Sequence, residues 1–117
     1  MTIGKLLAAH CQPLEGHAVM TTTDVAAQLA LLPESSFGNG AIGRTFCFAN
    51  RYETIAFVNA LAFMVHREDH DPDLAVGYDR FDVCFSTHSV DGISANDFIC
   101  AATTDAVFAQ RCNGAPA

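Results

Sequence analysis

The sequence predicts an α+β fold, a four-stranded antiparallel sheet covered by helices in the chain order α-β-β-α-β-β-α. Residues 41–49 and 81–88 alternate apolar and polar side chains with the period of two expected of half-buried strands. A tight turn joins each of these runs to a shorter strand-like partner, which makes two hairpins and therefore antiparallel pairing. Segments of helical period precede, separate and follow the hairpins.

Residues 1–20 show no clean period, and Pro13 and Gly16 interrupt any element there. They read as an irregular arm before a domain at residues 21–112, with a tail at 113–117. Thr23 or Asp24 is placed to cap a helix carrying Val25, Ala26, Leu29 and Leu32, which Pro33 stops. A short strand at 35–37 meets Gly38-Asn39-Gly40, a hairpin-turn sequence. In the strand that follows, Ile42, Phe46 and Phe48 share a face, with Arg44 as its charged exception.

Asn50 caps the longest helix, residues 51–68. Phe57, Leu61 and Met64 form one stripe on it, and Val58, Ala62 and Val65 form a second. Two adjoining apolar stripes suit packing against both the sheet and another subunit. Strands at 74–78 and 81–88 join at Asp79-Arg80. In the second of them Phe81, Val83, Phe85 and Thr87 point one way, and Asp82, Cys84, Ser86 and His88 the other. Ser94-x-x-Asp97 is a capping box opening a last helix that carries Phe98, Ile99, Ala102 and Val107.

With 117 residues, 50% of them hydrophobic and 16% charged, the chain can bury one core without metals or disulfides. Thirteen acidic residues against six basic ones leave a charge of −7 and no basic patch. Binding to nucleic acid or to a membrane surface by charge is therefore not expected. No stretch nears the ~20 consecutive apolar residues of a membrane span. The five cysteines, Cys11, Cys47, Cys84, Cys100 and Cys112, are odd in number and contain no C-x-x-C. They read as free thiols, mostly core residues, in a reducing cytoplasm. Lys5 and the short apolar run at 6–9 are too little for a secretory signal, so a cytoplasmic location is expected.

The polar cluster runs from His66 to Asp73, at the end of the long helix. His66 and His70 stand one helical turn apart, as a metal pair would, but a zincin needs Glu where Arg67 stands. Asp69, Asp71 and Asp73 copy the start of a calcium loop, whose sixth and twelfth positions would be Gly and Glu and here are Leu74 and Arg80. Both metal readings fail. Acid–base chemistry is the remaining one, because histidine both gives and takes a proton near neutrality and His70 and His88 sit at element ends. The plain alternative is a solvated helix C-terminus whose cationic last turn complements the helix dipole. Cys84 shares a strand face with His88 but reads as a filler thiol, and neither a phosphate-binding glycine loop nor a serine nucleophile elbow is present.

His66-x-x-x-His70-Asp71-Pro72, then Tyr78, Thr87-His88 and Gly92-Ile93-Ser94-x-x-Asp97, resembles the pattern of the pterin-4a-carbinolamine dehydratases. That pattern is an acidic residue or His, three residues, His-His-Pro, an aromatic, Thr-His, and Gly-Leu-Thr-x-x-Asp. Ile42-x-Arg44-x-Phe46-x-Phe48 and Phe57-Val58-Asn59-Ala60 are similar too, so the likeness spans roughly residues 22–110 with spacing intact. It implies three helices packed on one face of the four-stranded sheet, in a homodimer. It also implies a lyase that removes water from 4a-hydroxytetrahydropterin, a reduced pterin, to give quinonoid dihydropterin, without metal or organic cofactor. His70 and His88 would be the acid–base pair. His66 would line the pocket entrance, and Pro72 would fix the turn holding His70. Asp71 would lie against the substrate, and Asp97 would either do the same or serve only as the capping partner of Ser94.

The chain departs from the family where Asp71 replaces the second histidine of His-His-Pro, and it has no tryptophan. An ionised aspartate accepts hydrogen bonds without donating them, and losing one acid–base participant costs ~10²–10⁴ in rate. The resemblance therefore implies either a dehydratase with impaired or lost activity, or a non-catalytic factor on the same scaffold. Relatives of the second kind include a dimerising transcription coactivator and the RuBisCO assembly factors (chaperones) of α-carboxysomes, whose partner would be the RuBisCO large subunit.

Overall fold

A computed structural model describes residues 2–11, 20–68, 70, 72–87 and 92–114, with side chains through residue 110. Its elements are α1 (Ile3–Ala8), α2 (Thr22–Leu29), β1 (Ser36–Gly38), β2 (Ala41–Cys47), α3 (Arg51–Glu68), β3 (Asp73–Val76), β4 (Arg80–Phe85) and α4 (Ala95–Gly114). The strands form one antiparallel sheet in the order β1-β2-β4-β3. The chain thus has the α+β architecture read from its sequence, with the short helix α1 added in front.

The β1–β2 hairpin closes on Asn39 and Gly40, with φ of 53° and 74°. Two consecutive left-handed residues make the turn whose twist matches paired strands, which is why Asn-Gly stands there. In the central pair, Ile42 faces Phe85, Arg44 faces Val83 and Phe46 faces Phe81. The apolar members of these pairs are buried, and α3 and α4 pack on their side of the sheet. The Phe46 ring lies 4.9 Å from Phe57 and 5.0 Å from Phe108, and Phe57 is 6.0 Å from Phe81. Arg44 does not break this face. Its guanidinium bonds to Asp105 of α4 at 2.8 Å and stacks 4.3 Å from the Phe46 centroid, so the charge is paired and the stem covers aromatic surface.

Helix α3 begins as expected, with Asn50 Oδ1 accepting the Glu53 N–H at 3.0 Å. The buried Thr54 hydroxyl reaches the Tyr78 carbonyl at 3.0 Å and ties this helix start to the β3–β4 turn. Helix α2 is capped by Thr21, ahead of Thr23 and Asp24, and the Thr21 hydroxyl accepts the Asp24 N–H at 3.1 Å. Of the second α3 stripe only Val65 is buried, while Val58 is half-buried and Ala62 is exposed. Among the described residues no helix is long and apolar enough to cross a membrane.

Part of the arm is ordered as α1, where irregular chain was expected. Thr2 caps it by accepting the Lys5 N–H at 3.2 Å, and Leu6, 0% exposed, enters the core beside α4. Six residues make fewer than two turns, so no hydrophobic period can register in the sequence. Leu6→Ala is expected to cost about 2–5 kcal/mol in urea denaturation, the range for a buried leucine. A loss below ~0.5 kcal/mol would mean that α1 contributes nothing to the core.

Candidate active site

Three chain segments converge at one end of the sheet. The chain leaves α3 with the His70 N–H donating to the Val65 carbonyl at 3.1 Å, a six-to-one bond of the kind that closes helix C-termini. This places the imidazole inside the protein, 8% exposed, with its plane within 5° of the Phe85 ring at 6.1 Å. Beyond β4, Thr87 pairs with Gly92 through two backbone bonds of 2.8 and 3.3 Å, which brings the start of α4 beside the end of β4. Ser94 and Asp97 then open α4 as a capping box, the Asp97 carboxylate accepting the Ser94 N–H at 2.9 Å.

The capping carboxylate has further partners. Asp97 is 0% exposed, and its other oxygen, Oδ1, lies 2.6 Å from His70 Nε2. Oδ2 accepts the Thr87 hydroxyl at 2.8 Å as well as the Ser94 N–H. The Thr87 proton is thereby used, so the 2.6 Å contact between Thr87 and Ser94 is a bond donated by Ser94. A buried ionised carboxylate costs several kcal/mol unless its oxygens are satisfied, and here donors from three segments satisfy them beside a helix N-terminus. With the carboxylate ionised, Oδ1 accepts the Nε2–H of the imidazole, and the hydrogen of the neutral ring is then on Nε2 rather than Nδ1.

Of the residues singled out from sequence, His70 and Asp97 are in direct contact. His66 is exposed on the last turn of α3 and makes none of the cluster's hydrogen bonds among the described residues. Pro72 is half-buried directly ahead of β3. Asp71 and His88 lie outside the described residues. Sequence reasoning passed over Thr87 and Phe85 as members of the site. A hydroxyl at 87, continuing the otherwise apolar inward alternation of Phe81, Val83 and Phe85, was the available signal, because a buried donor needs an acceptor. A hollow of about 450 Å³ lies elsewhere, on the sheet's open face against Glu34, Thr45, Asp82 and Cys84, and includes none of the cluster.

A family model described as pterin 4 alpha carbinolamine dehydratase matches residues 18–107. The chain belongs to the pterin-4a-carbinolamine dehydratase family. It is 52% identical over 108 residues to a protein of Xylella fastidiosa (strain 9a5c) named "Putative pterin-4-alpha-carbinolamine dehydratase", covering 90% of this chain and 93% of that one. A protein of the same name from Chromobacterium violaceum is 45% identical over 103 residues, covering 88% and 95%. Among solved structures, the transcriptional coactivator/pterin dehydratase from Brucella melitensis superposes with a TM-score of 0.73 at 26% identity, covering 76% of this chain and 97% of that one. The dehydratase-family fold therefore carries the His70–Asp97 pair described above.

A second carboxylate flanks the cluster. Glu68, at the end of α3, accepts the Cys11 N–H at 2.7 Å and bonds His10 Nδ1 at 3.0 Å. These bonds, that from Cys11 first, hold its carboxyl below the usual value near 4.5. A carboxylate depressed in the folded state stabilises the fold above its unfolded pKa and loses that contribution as pH falls through the folded one. The thermal midpoint of the protein is thus expected to exceed that of Glu68→Gln at pH 7, with the gap closing as pH drops below about 4.5. A gap that persists unchanged at about pH 3 would contradict the ionised bond to Cys11.

Proposed function

We propose that the protein dehydrates 4a-hydroxytetrahydropterin to quinonoid dihydropterin, with His70 and His88 as its acid–base pair. The observation that carries this reading is the buried His70–Asp97 pair in a chain of the dehydratase family. Dehydration needs a proton delivered to the departing 4a-hydroxyl, which leaves as water, and a base that takes the pterin ring proton. His70 suits either task through Nδ1. Asp97 holds the ring by Nε2 and stabilises the imidazolium that exists whenever Nδ1 is protonated, the service an aspartate renders histidine in hydrolase triads. Both Asp97 oxygens are engaged by protein donors, which supports Asp97 as a positioning residue acting through His70.

His88 follows Thr87 in the chain, and Thr87 bonds to the carboxylate that holds His70, which supports the two histidines sharing a site. In this reading His66, Asp71 and Pro72 border the substrate. The chemistry proposed calls on side chains alone, in a cytoplasmic homodimer. The exposed apolar residues Tyr52 and Phe63 on α3 support a subunit contact.

Asp71 is the observation that favours a second reading, a scaffold turned to protein binding, because a carboxylate there cannot donate as the family's histidine does. Decay of the 4a-carbinolamine absorbance separates the two. The protein is expected to accelerate that decay above the spontaneous rate, and His70→Ala to lower the acceleration by ~10²–10⁴. Decay at the spontaneous rate in the protein, with activity appearing in Asp71→His, would overturn the enzyme and support the binding factor.

A further inference from the structure

We propose that Cys11 and Cys100 form a redox modification site, closed to a disulfide by hydrogen peroxide, that links the chain following α1 covalently to α4. The two sulfurs are 3.4 Å apart although 89 positions separate them in sequence. A disulfide needs about 2.05 Å, so closure asks the sulfurs to approach by roughly 1.4 Å. The approach is held in place from both sides. The Cys11 backbone is anchored by its 2.7 Å bond to Glu68 and by Leu6 in the core, and Cys100 sits 0% exposed on α4, one turn after Asn96. Cys11 also lies 3.7 Å from the Asn96 carbonyl, so its side chain already points along the α4 surface.

The two thiols are unequal in the way a stepwise oxidation requires. Cys11 is half-buried and open to a small oxidant, whereas Cys100 is fully buried. The hydrogen bond from Cys100 holds the Cys11 thiol below its ordinary value near 9, and the same bond, with burial, pushes Cys100 up. Cys11 is accordingly the sulfur that carries thiolate character. It attacks one peroxide oxygen: an S–O bond forms, the O–O bond breaks, and the leaving hydroxide takes the Cys11 proton as water. Cys100 then attacks the sulfenic sulfur: the S–S bond forms, the S–O bond breaks, and the second hydroxide leaves as water with the Cys100 proton. Two thiols are oxidised by two electrons and one peroxide is reduced to two waters.

Cys47 and Cys84 provide internal controls. Both lie on the opposite face of the sheet, and Cys84 pairs with Gly43, four residues from Cys47, so a bond between them would have to span roughly 13 Å of strand. The test is peroxide treatment of the reduced protein at a slight molar excess, with mass spectrometry before and after alkylation. The expected result is a mass lowered by two hydrogens before alkylation, a Cys11–Cys100 cross-linked peptide, Cys47 and Cys84 alkylated as in the untreated protein, and full reversal by dithiothreitol. Cys11→Ser, which changes a half-buried position and spares the core, is expected to abolish the cross-link while its circular dichroism matches that of the unaltered protein. A Cys11 alkylated as fully after peroxide as before, a Cys11 left as sulfenic or sulfinic acid beside a reduced Cys100, or a cross-link to any other cysteine would overturn the proposal.

Discussion

One buried negative charge organises the functional end of this molecule. Asp97 has no contact with solvent, and an unsatisfied carboxylate in that position would cost more than a small domain can spare. Its donors come from the residue that caps α4, from the chain just beyond β4 and from the chain leaving α3. One end of the sheet, the start of one helix and the end of another therefore meet around two oxygens. Capping a helix and orienting a histidine are the same act here. Neither can be lost without disturbing the other, because each oxygen's partners fix the rotamer that serves the other oxygen.

His70 is held from three sides, by the Val65 carbonyl of α3, the Phe85 ring of β4 and the Asp97 carboxylate of α4. The N-terminal segment adds a further layer, since Cys11 rests on both Glu68 of α3 and Cys100 of α4. The helix that delivers His70 and the helix that holds it are bridged by the same short stretch of chain.

Much of the fold was legible because its signals are local. Asn39-Gly40 names its own turn, Phe81, Val83, Phe85 and Thr87 take one face by alternation, and Ser94-x-x-Asp97 announces a helix start. The misreadings are also local, and physical. Residues 21–23 are three threonines, so composition alone could not choose the cap. Helix α1 is too short to show a period, and its stability comes from one leucine inserted into a distant core. The His70–Asp97 bond crosses 27 positions, and no spacing rule reaches that far. Family likeness pointed to both residues but left Asp97 divided between a capping role and a place against the substrate. In the fold it caps α4 through Oδ2 and meets His70 through Oδ1.

The tautomer of His70 tests this account most directly. Nitrogen-15 chemical shifts of the imidazole, measured at a pH where the ring is neutral and assigned by their loss in His70→Gln, report which nitrogen bears hydrogen. If Asp97 holds the ring, Nε2 bears the hydrogen of the neutral imidazole and Nδ1 does not. A neutral ring protonated at Nδ1, or two tautomers in the fast exchange of a free imidazole, would show that Asp97 does not hold it.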